Sequence, residues 1–440
     1  MWIKPLLLMS FRLNRILCLG KHNQNPEMQH GLQCYINLGR AYNNSGRPMN
    51  AKRLMTCLIA LSLLISSCGP GQRLGSTSTP VSTNTPVPSG TFTNLPLNPP
   101  LTVAPTESQP DVLVGISTYA DPTFIKSLAT SLEEKGYKII YNGDFQNAEQ
   151  QNNQIDHLVS EGVRILIVQP LDSNLAASAV DKAAAVGVKV IALDRLIKTS
   201  HIAAYLSFEN VEIGRQQSQG ILKTLDIDHW DVAAKGPVRL VELGGAENDN
   251  NSYMFREGQN AVLMPYVNNG LLKIIANPWV ENWDPANAVS IMENLLASRN
   301  NRIDAVVASN DDTALGALQA LNEHHKQIPI SGQDATAPGC NSLVEGQLTL
   351  TILKDPAKLI ALTVDVVDKL ARGKENSNLH EMSLVDLTGD STLAGDVSVA
   401  FLPFQLVTKD NVYDLVVKTG FQSYDDVYKN VPENQRPLRP

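Results

Sequence analysis

Residues 188–214 read VKVIALDRLIKTSHIAAYLSFENVEIG, and this stretch decides the fold. It contains two short runs of aliphatic and aromatic residues, VKVIAL and AAYLSF, each followed by polar residues. A longer amphipathic segment, 211–225, begins soon after the second run. Short apolar runs that alternate with amphipathic segments are typical of parallel strands joined by crossover helices. The stretch therefore predicts an α/β fold.

The same alternation extends in both directions, from residue 111 to residue 353. It predicts strands at 112–116, 138–141, 165–168, 188–193, 204–208, 238–243, 273–276, 305–308, 328–331 and 348–353. It predicts helices at 123–135, 148–161, 211–225, 251–266, 285–297 and 313–324. Ten strands are too many for one small doubly wound sheet, so we expect two doubly wound parallel-sheet lobes. A ligand would bind between them, outside the carboxyl ends of the strands.

Composition narrows the class of protein. The chain has 440 residues, 43% of them hydrophobic, which is enough for sizeable cores. Its net charge is −8 and its 36 basic residues are scattered along the chain, which argues against a nucleic-acid partner. The five cysteines form no CxxC pair and no clustered even set, so we expect neither a disulfide framework nor a metal site. We expect no cofactor either.

Residues 49–68 have the pattern of a bacterial lipoprotein signal peptide. Lys52 and Arg53 precede a mostly apolar run that ends in Ile-Ser-Ser-Cys at Cys68. The run is too short to span a bilayer core of ~30 Å but suits a cleavable signal segment. The thiol of Cys68 is the predicted site of lipidation. The alternative is a buried amphipathic helix with an incidental cysteine.

The segments on either side of this signal are not predicted to fold. Residues 1–48 contain no pattern of a domain, so Met49 is a candidate for the true start and 1–48 for a misassigned extension. Residues 69–110 are crowded with Ser, Thr, Pro and Gly and are nearly free of charge. Such a composition buries too little apolar area to offset chain entropy, which predicts an extended tether.

Polar residues collect where the predicted strands end. They are Asp194 and Arg195 after VKVIAL, Asp249 to Asn251 after VRLVELGG, Asn310 after DAVVAS and Asp334 after IPISGQ. Each one alone could simply be a polar cap of the next helix. Four such loops that converge on one cleft favour a binding site.

Several long stretches resemble a known family. They are VKVIALDRLI, YLSFENVEIG, GGAENDNNSYMFREGQ, PWVENWDPANAVSIMENLL, NRIDAVVASNDDTALGALQAL and ISGQDA. With these stretches the chain resembles the type I periplasmic sugar-binding proteins of ABC importers, most closely their D-xylose-binding members, over residues 112–374. The resemblance implies the type I periplasmic binding protein fold, two lobes joined by a hinge, and no catalysis.

The same resemblance implies which residues contact the sugar. The matching positions are Asp194, Arg195, Asp249, Asn251, Trp283, Asn310, Asp334 and Lys354. Their chemistry suits a pyranose, because an indole can stack on the C–H face of the ring while carboxylates and cations bond its hydroxyl groups. Trp283 could instead be ordinary core, as is expected of Trp279, and Lys354 could simply be solvated.

The first loop departs from the xylose-binding pattern. Those proteins carry a longer segment there with basic residues and an aromatic, whereas residues 118–124 read TYADPTF here. Tyr119 and Phe124 are candidates for a second stacking face, and Asp121 would place an acceptor where the family has a donor. This leaves the identity of the sugar open.

The predicted lobes are built from two chain segments each. The first lobe would comprise 111–235 and 354–400, and the second 236–353 with 401–440 at the hinge. The first crossing is placed at Lys235-Gly236-Pro237, because a Gly-Pro pair there separates a helix from the next strand. Closure of the hinge around the sugar would create the outline that permease subunits recognise.

The expected function is therefore a monomeric, extracytoplasmic, lipid-anchored receptor that delivers a xylose-like monosaccharide to an ABC permease. The alternative is a sugar-sensing module read by a membrane kinase or chemoreceptor. A glycoside hydrolase would need a proton donor, and Arg and Asn donors near Asp249 and Asp334 would keep both carboxylates ionised. The sequence contains no GxSxG, HExxH or P-loop motif.

Overall fold

The computed structural model describes residues 112–141, 143, 145–298 and 302–440, all within one compact unit, Leu101–Pro440. The predictions for the signal peptide, Cys68 and the tether lie outside the described residues. No described helix combines the length and apolar character needed to cross a membrane.

The first sheet has seven strands. They are β1 (Leu113–Ser117), β2 (Lys138–Tyr141), β3 (Ile165–Val168), β4 (Lys189–Leu193), β5 (Ala204–Phe208), β10 (His380–Ser383) and β11 (Asp396–Leu402). Their spatial order is β10-β11-β5-β4-β3-β1-β2, and every pair is parallel except β10 with β11. The helices of this part are α1 (Pro122–Glu134), α2 (Ala148–Ser160), α3 (Ala176–Ala185), α10 (Pro356–Ala371) and α11 (Leu384–Thr388).

The second sheet has three parallel strands in the order β7-β6-β8. They are β6 (Val238–Leu243), β7 (Leu272–Ala276) and β8 (Ala305–Ala308). Two short strands, β9 (Thr351–Leu353) and β12 (Gln405–Val407), pair antiparallel with each other. The helices of this part are α4 (Asn210–Thr224), α5 (Val232–Lys235), α6 (Asn250–Asn268), α7 (Pro285–Ser298), α8 (Asp311–Glu323), α9 (Ala337–Val344) and α12 (Tyr424–Tyr428).

Each sheet is covered on both faces, which explains its continuous apolar runs. In β6 the consecutive residues Leu240 and Val241, which point to opposite faces of the sheet, belong to two separate buried clusters. In the first sheet Ile167 and Leu166 are likewise divided between two clusters. The predicted α/β fold with two doubly wound lobes is confirmed.

The predicted strand 328–331 forms only isolated bridges, from Ile330 to Val306 and from Ser331 to Leu350. Pro329 explains this, because it has no N–H to donate to a neighbouring strand. Its carbonyl still accepts from the N–H of Val306 at 3.0 Å. This end of the second sheet is therefore held by single bridges and loops.

Helix α4 passes from one part of the molecule to the other. Ile213, in its first turn, packs in a cluster with strands of the first sheet. Ile221 and Leu222, two turns later, pack with Leu240 of the second sheet. We predicted the first crossing at 235–237, but this packing places α4 with the second sheet and the crossing near residue 210. A helix that starts one lobe cannot be told from a helix that ends the other by its apolar spacing alone.

The chain crosses twice more. Strand β9 leads into α10, whose Leu359 and Val367 pack against the first sheet. Strand β11 of the first sheet leads into β12, after which Val412 and Val427 pack with the second. Three chain segments near residues 210, 354 and 403 therefore join the two sheets, an arrangement that permits hinge motion.

Candidate functional site

The predicted site residues lie beyond the carboxyl ends of strands from both sheets. Asp194 and Arg195 follow β4, and Tyr119 lies two residues after β1. Asp249 follows β6 and directly precedes α6, while Lys354 follows β9. Parallel strands bring their carboxyl ends to one edge, so these loops face a common region.

Charged side chains from both sheets pair with one another at this edge. The Nε of Arg195 lies 2.7 Å from the Oδ2 of Asp249, which joins a loop of the first sheet to a loop of the second. The Nζ of Lys354 lies 3.3 Å from the Oδ1 of Asp334 and 3.7 Å from the Oδ1 of Asp194. The structure therefore brings five of the predicted site residues together.

Burial and charge act against each other in this cluster. Burial acts to lower the pKa of Lys354, but Asp194 and Asp334 outweigh it, and the pKa is raised above its ordinary value. Burial likewise acts to lower the pKa of Arg195, but Asp249 together with Tyr119, Asp194 and Asp334 outweighs it, and the pKa is raised. Both cations thus stay charged at neutral pH and offer strong hydrogen-bond donors.

The pKa of Asp249 is raised by burial, while Arg195 acts to lower it. The pair is ionised, because a guanidinium is always protonated in proteins and the contact at 2.7 Å is a charge-assisted hydrogen bond.

The site loops concentrate backbone strain. Seven non-glycine residues have positive φ in the part of the chain that the structure describes. Five of them lie in these loops: Asp194 (60°), Asn282 (57°), Trp283 (60°), Asp334 (91°) and Ala335 (45°). Such conformations cost about 1–3 kcal/mol each and persist where the surroundings fix them, often at binding sites. Sequence reasoning missed this feature, because neither aspartate nor tryptophan signals a left-handed conformation.

Donors from both sheets hold Asp194 in its strained conformation. Its carbonyl oxygen accepts from the hydroxyl of Ser207 at 2.6 Å, from the Nδ2 of Asn251 at 3.0 Å and from the hydroxyl of Tyr205 at 3.3 Å. The Oδ1 of Asn251 in turn accepts from Tyr205 and from Asn210. Asn251, predicted to contact the sugar, therefore positions Asp194, and only its second N–H remains for a ligand.

The two tryptophans of this region have different surroundings. Trp283 packs against the core of the first sheet and lies so close to Gly245 that a Cβ there would be 2.0 Å from the indole. Its Nε1 is buried and has no hydrogen-bond partner among the described residues. Trp279, expected to be core, is instead half-buried with the guanidinium of Arg256 stacked 3.4 Å from its ring centroid. The buried Nε1 of Trp283 is therefore available to a ligand.

Asn310 is a helix cap. Its Oδ1 accepts from the N–H of Thr313 at 2.9 Å, and the Thr313 hydroxyl accepts from the N–H of Asn310 at 3.3 Å. Asp249 is also a cap, since its Oδ1 accepts from the N–H of Asn251 at 2.9 Å. For Asp249 the capping interpretation and the site interpretation hold together, because its other oxygen binds Arg195.

The first loop contributes Tyr119 to the cluster. The guanidinium of Arg195 lies 4.9 Å from the centroid of the Tyr119 ring, so one face of the ring is already covered. Its hydroxyl is buried and has no hydrogen-bond partner among the described residues, and burial raises its pKa. Phe124 packs instead against the core of the first sheet, and Asp121 caps α1 by accepting from Thr123 at 2.7 Å.

No group of three His, Cys, Asp or Glu side chains is arranged to hold a metal ion in the described ranges. What the cluster offers is a set of ionised acceptors and donors beside an indole and a phenol. Ion pairs of this kind can exchange one partner for a hydroxyl group, which both donates and accepts. The arrangement suits an uncharged, polyhydroxylated molecule.

Known proteins with related sequences or structures share this architecture. Residues 115–375 match the family model described as a periplasmic binding protein domain. The D-xylose-binding periplasmic protein of Escherichia coli (strain K12) is 35% identical over 297 residues, 67% of this chain and 84% of that protein. A multiple sugar-binding periplasmic receptor of Rhizobium radiobacter is 29% identical over 74% of this chain and 95% of its own.

Among solved structures, a solute-binding protein of an ABC transporter from Clostridium phytofermentans, with bound β-D-glucose, has a TM-score of 0.65. It is 25% identical and covers 72% of this chain and 99% of that one. The match to the family model thus includes all the loops of the charged cluster, from Tyr119 to Lys354.

Proposed function

This chain belongs to the periplasmic binding protein domain family, and from that premise we propose that it is a lipid-anchored receptor that delivers a xylose-like monosaccharide to an ABC permease. Family membership alone makes it an extracytoplasmic sugar-binding protein of the ABC transporter type. The xylose-like ligand, the assignment of the site and the lipid anchor are the parts that we propose.

One observation carries the assignment of the site: the ion pairs that join Arg195 to Asp249 and Lys354 to both Asp194 and Asp334. The Arg195–Asp249 pair connects loops of the two sheets, so a ligand beside it would contact both lobes. Buried ion pairs contribute little net stability, since desolvation offsets their attraction. A role in binding explains better why five charged side chains are gathered there.

The proposed mechanism follows from that connection. A sugar would bind first to the loops of one lobe, and the hydroxyl groups that face the other lobe would then bond its carboxylates and cations. Because those bonds form only when the lobes meet, the ligand binds the closed form more tightly than the open form. This difference in affinity shifts the equilibrium toward the closed form. The permease would recognise the closed form.

A pentopyranose fits the proposed ligand class. Trp283 would present its indole to the C–H face of the ring, and its unpaired Nε1 would bond a ring-edge oxygen. Tyr119 would act through its hydroxyl rather than as a second stacking face, since Arg195 covers one side of its ring. The related proteins are named for D-xylose or for multiple sugars, which supports a monosaccharide.

We propose that the protein binds its ligand without transforming it and acts as a monomer. The homologous proteins are substrate-binding proteins. Asp249 and Asp334 each bond a cation, Arg195 and Lys354, so both carboxylates already act as acceptors in the ligand-free protein.

The lipid anchor rests on the sequence from Lys52 to Cys68 and on the Ser, Thr and Pro-rich segment behind it. Such an arrangement would hold the receptor near the permease on the outer face of the membrane. Mass spectrometry of the protein purified from its own membranes tests it. A diacylglyceryl group on an N-terminal Cys68 is the expected result, and an unmodified chain that begins upstream of residue 49 would contradict it.

The site is tested by calorimetric titration of residues 111–440 with a panel of pentoses and hexoses. We expect one sugar of the xylose type to bind at micromolar or lower Kd, and Trp283→Ala to abolish most of that affinity. Trp230→Ala is the matched control, because Trp230 packs in the cluster beneath the second sheet. The site assignment fails if the two variants bind alike, and turnover of a nitrophenyl glycoside would favour a hydrolase.

A further inference from the structure

Asp311 is a buried carboxylate that the proposed binding mechanism does not use. It is the first residue of α8, directly after the capping residue Asn310, and none of its surface is exposed. No cation among the described residues lies within ion-pair distance of it. A buried carboxylate without a cation is unusual, because desolvation penalises the charge heavily.

Two threonines from different segments donate to this carboxylate. Its Oδ2 accepts from the backbone N–H of Thr336 at 2.8 Å and from the Thr336 hydroxyl at 3.0 Å. Its Oδ1 accepts from the hydroxyl of Thr351, in β9, at 2.8 Å. Asp311 thereby joins the start of α8, the segment before α9 and strand β9.

Two glycines allow the surrounding backbone to approach the carboxylate. A Cβ on Gly332 would lie 2.1 Å from its Oδ1, and a Cβ on Gly339 would lie 2.2 Å from its Oδ2. No side chain fits at either position while Asp311 stays in place. The segment 332–339 is therefore folded closely around this single carboxylate.

The segments that Asp311 joins are those that carry two site residues. Asp334 lies between Gly332 and Thr336 with φ of 91°, and its N–H donates to the carbonyl of Ile352 in β9 at 2.7 Å. The N–H of Ala335 donates to the Thr351 hydroxyl at 3.1 Å. Lys354, which follows β9, lies 3.3 Å from Asp334.

We infer that Asp311 is a positioning residue, which holds the 332–336 segment and β9 in the arrangement that presents Asp334 and Lys354 to the ligand. This rests on the proposed function, because it assigns a role within the same sugar site. Burial, and then the charge of Asp334, raise the pKa of Asp311 to about 7. The protein thus retains a group that is costly to ionise where three donors require an acceptor.

The test is a double-mutant cycle on sugar affinity in the same 111–440 protein. Asp311→Asn keeps the size of the side chain but replaces one acceptor oxygen with an NH₂ group that faces the threonine donors. We expect the Kd for the sugar to rise about tenfold. In an Asp334→Asn background the same change should alter the Kd by less than about twofold, because the residue that it positions is already impaired. A purely structural role would lower the melting temperature but change the Kd by the same factor in both backgrounds.

A second variant keeps the test decisive if Asp311→Asn does not fold. Thr351→Val removes one donor with little change of shape, and we expect an increase in Kd of about threefold that also disappears in the Asp334→Asn background. Thr363→Val is the matched control, since Thr363 is equally buried but bonds only the carbonyl of Leu359 in α10. It should leave the Kd within twofold.

The outcomes separate this inference from the proposed function. Suppose that the unmodified protein binds a sugar. If both variants then bind it with the same Kd as the unmodified protein, or if each variant changes the Kd by the same factor in both backgrounds, the inference on Asp311 is wrong and the proposed function stands. If the unmodified protein binds no sugar of the panel, the proposed function fails and the inference fails with it.

Discussion

Two arginine–aspartate pairs lie toward opposite ends of β6 and have different roles. At the amino end, Arg239 and Asp304 belong to neighbouring segments of the same sheet. They make two side-chain bonds of 2.7 and 2.6 Å, and the backbone N–H of Arg239 adds a third at 2.8 Å. Beyond the carboxyl end, Arg195 and Asp249 join loops of different sheets through a contact of 2.7 Å.

Burial sharpens the difference between the pairs. Exposure of the arginine and aspartate side chains is 23% and 17% at the amino end, but 14% and 2% at the carboxyl end. Burial acts to raise the pKa of Asp304, but its bonds to Arg239 prevail and the pKa is lowered. For Asp249 burial prevails over Arg195 and the pKa is raised. The bonds of the first pair favour a net contribution to stability. The deeper burial of the second pair reduces its net contribution to stability, and its charged groups lie between the lobes.

The largest expected effect is on the pair between the sheets. Asp249→Ala leaves Arg195 buried without its partner, and breaking a buried pair costs about 3–5 kcal/mol. Because that contact joins the lobes, we expect the loss to appear in sugar affinity, as an increase in Kd of about a hundredfold or more. Calorimetry measures the Kd, and urea unfolding of the ligand-free protein measures stability. An unchanged Kd would remove Asp249 from the site.

The second prediction concerns the pair within the sheet. Asp304→Asn should lower the free energy of unfolding by about 1–3 kcal/mol and leave the Kd within twofold. The pKa of Asp304 is depressed in the folded state, so its contribution is present above the ordinary carboxyl pKa and is lost as pH falls through the folded-state value. Urea unfolding from pH 7 to pH 3 should therefore show the gap between variant and parent narrowing at the acid end. A larger effect on Kd than on stability would contradict the comparison.

Much of the fold could be predicted from local sequence. The predicted strands 165–168, 204–208 and 238–243 agree with the structure residue for residue, because buried parallel strands are continuous apolar runs. Helix α10 was missed, although Asp355 and Pro356 give a start signal and its apolar spacing is regular. The side to which α4 belongs was not predictable, since that depends on contacts with Leu240 and other distant residues.

The position of the charged cluster could be predicted from the sequence, but its pairings could not. Polar residues at strand ends located Asp194, Asp249 and Asp334, since parallel strands must bring those ends together. Which charges pair with which depends on how the loops meet across two sheets, and spacing along the chain carries no such information. The sequence makes Tyr119 a candidate stacking residue, whereas in the structure Arg195 covers one face of its ring and its hydroxyl has no partner among the described residues.

The third prediction tests the Tyr119 hydroxyl, which lies beside the Arg195–Asp249 pair that joins the two sheets. Tyr119→Phe keeps the ring beneath Arg195 and removes only the hydroxyl, which would bond the ligand. We expect an increase in Kd of about fivefold to tenfold, with unfolding free energy unchanged, because no bond is lost in the ligand-free protein. Tyr137→Phe is the control, since the Tyr137 hydroxyl donates to Asp368 at 2.7 Å within the first lobe. It should reduce stability without altering the Kd, and the reverse pattern would refute the assignment.

The smallest effect is expected for a pair that is neither buried nor shared between sheets. Lys182 and Asp156 lie 3.1 Å apart, within ion-pair distance, but their side chains are 67% and 46% exposed. Water and salt screen such a pair and its side chains keep much of their freedom, so Lys182→Met should change the free energy of unfolding by less than about 0.5 kcal/mol. Urea unfolding at low and at high salt measures this. A loss as large as that for Asp304→Asn would show that burial and the number of bonds do not decide what a pair contributes here.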